Sequence, residues 1–209
     1  MKAIIFCSGV INDYDFLKDK CFDNCLIMSA DGGIKHLNAL DIVPDVVIAD
    51  FDSSENCYQD GVEVIKHPTR KDFTDTHLCI DYAIEKGCDE IVLYGATGGR
   101  LDHEFSHYCL MAYGLSKGVK IMLCDECNDI WMEKSSFTIN RGKRKYVSFF
   151  PYGSDIERFT VRGLKYEAEN MYLSCSNVQA SSNEFINNDI AEISFDKGIL
   201  IVMLCDDIK

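Results

Sequence analysis

The chain has 209 residues, 47% of them hydrophobic, enough to bury a core and too many for a disordered chain. Acidic residues outnumber basic ones 34 to 21, giving a formal net charge of -13, the reverse of what a nucleic-acid binder needs to release phosphate counterions. No apolar run approaches the ~18 residues of a membrane span, the N-terminal run is too short for a signal peptide, and the 11 cysteines form no framework, so a cytoplasmic protein with reduced thiols and no membrane partner is expected.

Short apolar runs at 3–7, 25–28, 46–49, 62–65, 90–94 and 119–124 predict strands. Between them, 33–40, 75–86 and 102–117 predict helices. Thr74 is placed to cap the second helix and Gly87 to stop it. This alternation predicts an α/β N-terminal domain with a mostly parallel, Rossmann-like sheet over residues 1–125. Beyond residue 125 the rhythm changes to short runs at 130–133, 137–140, 145–150, 156–161, 193–195 and 199–204, separated by turn residues. That pattern predicts an antiparallel β domain over 126–209, with Trp131, Phe149, Phe150 and Tyr152 in its core.

Four polar loops follow predicted strands in the first domain, where parallel sheets place their ligands. In Ser29-Ala30-Asp31-Gly32-Gly33, two glycines open a helix, which suits either close approach to a ligand or an ordinary turn. In Ala49-Asp50-Phe51-Asp52-Ser53, the alternating aspartates face one way in extended chain; a Mg²⁺ site is favoured over a polar turn. His67 to Asp75 contains Arg70 and Lys71, which could answer phosphates, and Asp75, which could join a metal cluster; from this segment alone a capped helix with solvated charges is favoured. Gly95-Ala96-Thr97-Gly98-Gly99-Arg100-Leu101-Asp102-His103 has the glycines and the arginine of a phosphate-cradling loop.

Two motifs compete with this reading. His103-Glu104-Phe105-Ser106-His107 matches H-E-x-x-H, the zinc-protease pattern, with no third ligand at a recognisable downstream spacing. Cys124-Asp125-Glu126-Cys127 matches C-x-x-C, with no second pair to complete a zinc knuckle, and is expected to be two inert thiols. Ser181 to Phe185 reads by itself as loop.

In this order, S-A-D-G-G, D-F-D-S, the T-D at 74–75 and G-x-T-G-G-R-x-D-H resemble the thiamine pyrophosphokinase family, densely over 29–103 and weakly again at S-N-E-F, 182–185. The resemblance implies an α/β nucleotide-binding catalytic domain, a C-terminal antiparallel β-sandwich that binds thiamine and dimerises, and a homodimer. It implies transfer of diphosphate from ATP to the hydroxyl of thiamine, giving thiamine diphosphate and AMP. By motif, Asp50, Asp52 and Asp75 would hold Mg²⁺. Ser29, Asp31, Gly32, Thr74, Thr97 and Arg100 would lie along the nucleotide, Asp102 near the reacting group, and Ser182 and Asn183 near thiamine. Two positions depart from the family pattern: Ala49 replaces the usual Gly before D-F-D-S, and His107 stands where Asn is frequent. The alternatives are a zinc-dependent hydrolase using His103 and His107, and a non-catalytic protein that binds nucleotide and thiamine.

Overall fold

A computed structural model of the chain describes residues 1–50, 61–67, 73–186 and 190–207, with only the backbone described for Asp50 and His67. Two compact units result, Met1–Glu126 and Cys127–Lys209.

The first unit contains β1 (Lys2–Phe6), β2 (Cys25–Ala30), β3 (Val46–Asp50), β4 (Glu63–His67), β5 (Glu90–Tyr94) and β6 (Lys120–Cys124), with helices α1 (Ile34–Ala39), α2 (Asp75–Glu85) and α3 (Leu101–Ser116). All six strands pair in parallel, in the order β6-β5-β1-β2-β3-β4. The chain thus steps outward from β1 to β4, then returns to the other side of β1 for β5 and β6. That reversal makes a topological switch point between β1 and β5, the place where open parallel sheets bind their ligands.

Strand alternation sends Ile4, Phe6, Val92 and Tyr94 to one face, where they pack with Leu17 and with Leu37 of α1. Ala3 and Ile5 take the opposite face and are fully buried. Helix α2 packs on β2 and β3, and α3 packs on β6. Burial on both faces is why these strands are apolar throughout rather than alternating. Each large side chain taken out of water contributes roughly 1.5–3 kcal/mol. Helix α2 ends as its sequence dictates. The Thr74 hydroxyl accepts the His77 N–H at 3.2 Å, and Gly87 takes the left-handed conformation at φ 83.

The second unit contains β7 (Asn128–Glu133), β8 (Phe137–Asn140), β9 (Tyr146–Tyr152), β10 (Ile156–Arg162), β11 (Ala168–Leu173), β12 (Asn183–Glu184), β13 (Ile190–Ser194) and β14 (Ile199–Cys205). They form two antiparallel arrays, β12-β9-β14-β7 and β11-β10-β13-β8. Phe149 of β9 and Phe159 of β10 meet between the arrays with ring centroids 5.3 Å apart, both buried. Trp131 is buried as expected, but Phe150 and Tyr152 are only half-buried, because Phe150 follows Phe149 and so faces the other side of β9. The segment expected to be loop contains β12, whose Asn183 and Glu184 pair with Val147 and Tyr146.

Candidate active site

The candidate site at the switch point is framed by three loops pressed together backbone to backbone. Beyond β1 the Gly9 N–H donates to the Gly95 carbonyl, 2.8 Å away, which joins the loops after β1 and β5. A Cβ on Gly9 would lie 2.3 Å from that carbonyl oxygen, so no larger residue fits. A Cβ on Gly33 would lie 1.9 Å from the Phe6 carbonyl oxygen, so the second glycine of the β2 loop is equally constrained. Buried His36 of α1 stands beneath these loops. Its Nε2–H donates to the Gly9 carbonyl at 2.9 Å, while its Nδ1 accepts the Tyr14 hydroxyl at 2.8 Å. Those roles require a neutral ring, and burial pushes the His36 pKa below its ordinary value while the Gly9 bond opposes the shift. Lys35 donates to the Ser8 carbonyl at 2.7 Å. Ser8, Gly9, Lys35 and His36 were not among the expected site residues. The available signal was Ser8-Gly9 directly after the first predicted strand, the placement shared by the other loops.

Of the expected nucleotide residues, Ser29 is 0% exposed, with its hydroxyl 3.4 Å from the Asp31 carbonyl, so it supports the turn from inside. Asp31 is exposed, at φ 46, and Gly32 follows it half-buried in a single 3-10 turn. Thr97 is half-buried and donates its hydroxyl proton to the Asp125 carboxylate at 2.7 Å. Arg100 and Asp102 are exposed and paired twice, Nε to Oδ1 at 3.1 Å and Nη2 to Oδ2 at 2.5 Å. Hydrogen bonding from Arg100 holds the Asp102 carboxyl below its usual pKa. Thr74 caps α2, and Asp75 lies half-buried in its first turn. Asp50 is the last residue of β3, opposite His67 of β4, and Ala49 before it is buried. Asp52, Arg70 and Lys71 lie outside the described residues.

In the second unit, Ser182 is exposed at φ 56 and its N–H donates to the Ser148 hydroxyl at 2.9 Å. Asn183 is only 6% exposed. Its Oδ1 accepts the N–H of Tyr166 at 3.0 Å and its Nδ2 donates to the Tyr166 carbonyl at 2.8 Å. Tyr166 is 61% exposed and lines a cleft with Phe159, Met171, Ser181 and Asn183. Asn183, expected near thiamine, thus clamps the backbone of Tyr166, a residue that no motif in the sequence singles out.

The two competing motifs resolve differently. His107 is buried and its Nδ1–H donates to the Ala96 carbonyl at 2.7 Å, while His103 is exposed. No group of three His, Cys, Asp or Glu able to hold a metal occurs among the described residues. Cys124 is buried and Cys127 half-buried, both as free thiols. The acids between them bear on the loops instead: Asp125 receives Thr97, and the Glu126 Oε1 accepts the N–H groups of Asn12 at 2.8 Å and Asp13 at 3.3 Å.

The family profile "Thiamin pyrophosphokinase, catalytic domain" matches residues 18–123, and "Thiamin pyrophosphokinase, vitamin B1 binding domain" matches 135–200. Thiamine pyrophosphokinase of Bacillus subtilis (strain 168) is 33% identical over 192 residues, covering 88% of this chain and 89% of that protein. The crystal structure of thiamine pyrophosphokinase from Bacillus subtilis has a TM-score of 0.88 at 30% identity, covering 100% of both chains. That of thiamin pyrophosphokinase from Geobacillus thermodenitrificans has a TM-score of 0.86 at 28% identity, covering 99% of this chain and 98% of the other. The chain belongs to the thiamine pyrophosphokinase family.

Proposed function

We infer that the chain transfers diphosphate from ATP to the hydroxyl of thiamine. The hydroxyl oxygen bonds to the β-phosphorus and gives up its proton to solvent, the bond from that phosphorus to the bridging oxygen of the α-phosphate breaks, and AMP leaves. The observation that carries this reading is the match of both domain profiles, catalytic and vitamin B1 binding, along one chain. The switch point, with glycine-tight loops after β1, β2 and β5, supports it.

Such transfer is mostly positioning and charge neutralisation. Asp31, Gly32, Thr74 and Thr97 would orient the nucleotide and Arg100 would answer its phosphates. Ser29 contributes by shaping the Asp31 turn. Asp102 would keep Arg100 in place beside the reacting group. Asp50, Asp52 and Asp75 would hold a divalent metal ion; the family is one of kinases, and a donor set made only of carboxylate oxygens fits the hard cation Mg²⁺. Bound there, the ion would neutralise charge on the phosphate oxygens. Ser182 and the Tyr166 ring held by Asn183 would receive thiamine, whose cationic ring suits an exposed aromatic face. A homodimer in the cytoplasm, with ATP and thiamine as its small-molecule partners, completes the reading.

The test is incubation with ATP, Mg²⁺ and thiamine. Thiamine-dependent release of AMP is expected, and Asp52→Asn should largely abolish it while the far-ultraviolet circular dichroism is unchanged. Formation of ADP, or turnover without thiamine, refutes the reading. Binding of both ligands without product would instead identify a sensor, and stoichiometric zinc in purified protein a zinc hydrolase.

A further inference from the structure

The C-x-x-C segment retains two acids that the proposed transfer does not use. Asp125 follows β6 directly and is 8% exposed. It lies across the sheet from the aspartate at the end of β3: in the order β6-β5-β1-β2-β3 the two strands are four spacings apart, roughly 19 Å. Asp125 is therefore too distant to join Asp50 around one ion. On the loop after β5 it meets Thr97, whose hydroxyl proton it accepts at 2.7 Å.

That bond fixes what Thr97 can offer. A threonine hydroxyl has one proton and two lone pairs, and a carboxylate only accepts. With its proton turned to Asp125, the Thr97 oxygen meets a ligand as an acceptor, backed by a negative group. Phosphate oxygens are acceptors and anionic, so they are poorly matched to this end of the loop. Arg100, three residues on and up to about 10 Å away along extended chain, is matched to them. Between the two, Gly98 at φ 71 turns the chain. The loop thus has two chemically opposite ends.

We propose that Asp125 is a positioning residue that makes Thr97 an acceptor for a hydrogen-bond donor of the nucleoside, so that ATP lies with its nucleoside over the β5–β6 side and its phosphates toward Arg100. The donor is a ribose hydroxyl or the exocyclic amine of adenine. This rests on the diphosphate-transfer reading above. Asp125 acts through Thr97, and the Glu126 bonds to Asn12 and Asp13 brace the opposite loop from the same point.

The experiment compares ATP, 2′-deoxy-ATP, 3′-deoxy-ATP and inosine triphosphate as donors, reading thiamine-dependent release of nucleoside monophosphate. The unaltered chain should use one of the three analogues with kcat/KM at least tenfold below that for ATP. Thr97→Val should lower kcat/KM for ATP at least fivefold more than kcat/KM for that analogue. Asp125→Asn, which keeps an acceptor for Thr97, should hold the discrimination within about threefold; Asp125→Ala should lose it. If the Ala variant does not fold, Thr97→Val decides alone. Equal use of all four donors by the unaltered chain, or an equal loss on ATP and analogue in Thr97→Val, overturns the proposal. Absence of any thiamine-dependent monophosphate from the unaltered chain overturns the transfer reading itself.

Discussion

His107 donates its Nδ1 proton to the backbone carbonyl of Ala96, 2.7 Å away, tying the second turn of α3 to the glycine loop that leads into that helix. The carbonyl can only accept, so the hydrogen sits on Nδ1 and the bond specifies one tautomer. His107→Leu keeps the bulk but removes the donor. The buried carbonyl is then unpaired, at a cost of about 1–3 kcal/mol. We expect a lower melting temperature and a raised KM for ATP in His107→Leu. His107→Asn keeps an N–H donor on a shorter side chain and should fall between it and the unaltered protein. Equal behaviour of the two variants would separate the loop from the hydrogen bond.

His36 and His107 are both buried, and burial holds the pKa of each below the ordinary 6.5. Below pH 6.5 the unfolded chain therefore takes up protons that the folded chain refuses. The stability these groups contribute is fully present above 6.5 and is lost as pH falls through their lower folded values. Melting temperature should thus decline on acidification starting near pH 6.5, before the carboxylates titrate. His107→Gln, which cannot take up the proton, should flatten that decline without removing the share owed to His36. A melting temperature constant from pH 7 down to pH 5 in the unaltered protein contradicts the assignment.

Much of the first unit is legible locally because each strand is a continuous apolar run and each helix has its own stop signals, Thr74 and Gly87 for α2. The second unit was harder. Among the described residues strand β11 pairs with β10 alone, with register shifts along the pair and Asn170 at φ 53, so its Ala-Glu-Asn-Met-Tyr-Leu run never alternates cleanly. Strand β12 is too short to show a period and is defined by its pairing with β9. At the candidate site, the glycine loops show in the sequence, whereas the contacts of Gly9, His36, Asp125 and Glu126 do not. Their roles depend on β5 returning to the side of β1, a non-local fact that no window of sequence contains.

Arg100 and Asp102 form an exposed two-point pair, and hydrogen bonding from Arg100 is the main cause of the lowered Asp102 pKa. A phosphate must compete with Asp102 for the guanidinium. Because the carboxyl is held below its ordinary value of 3.8, the pair persists down to that range and is lost only as pH falls through the depressed value. It therefore imposes no break on a pH–rate profile above about pH 4. Asp102→Asn frees Arg100 without removing it. Its KM for ATP should stay the same or fall while kcat drops, whereas Arg100→Met should raise KM for ATP by about tenfold or more. Steady-state kinetics on the two variants measure both. A parallel rise in KM for Asp102→Asn would place the carboxylate on the substrate rather than on the arginine.

Asn183 fastens Tyr166 through both backbone groups, and the segments on either side also pair: the Lys165 N–H donates to the Glu184 carbonyl at 2.8 Å, and Leu164 bridges to Phe185. Asn183→Ala leaves the N–H and the carbonyl of Tyr166 without their partner, and we expect destabilisation by about 2–4 kcal/mol. Asn183→Asp keeps the acceptor for the Tyr166 N–H but sets a carboxylate against the Tyr166 carbonyl, so it should be at least as costly. Tyr166→Ala removes only an exposed ring and should leave the melting temperature nearly unchanged. If Asn183 serves thiamine through Tyr166, Asn183→Ala and Tyr166→Ala each raise KM for thiamine, and the double variant is no worse than the poorer single one. Additive losses in the double variant would show that Asn183 meets thiamine independently of the ring.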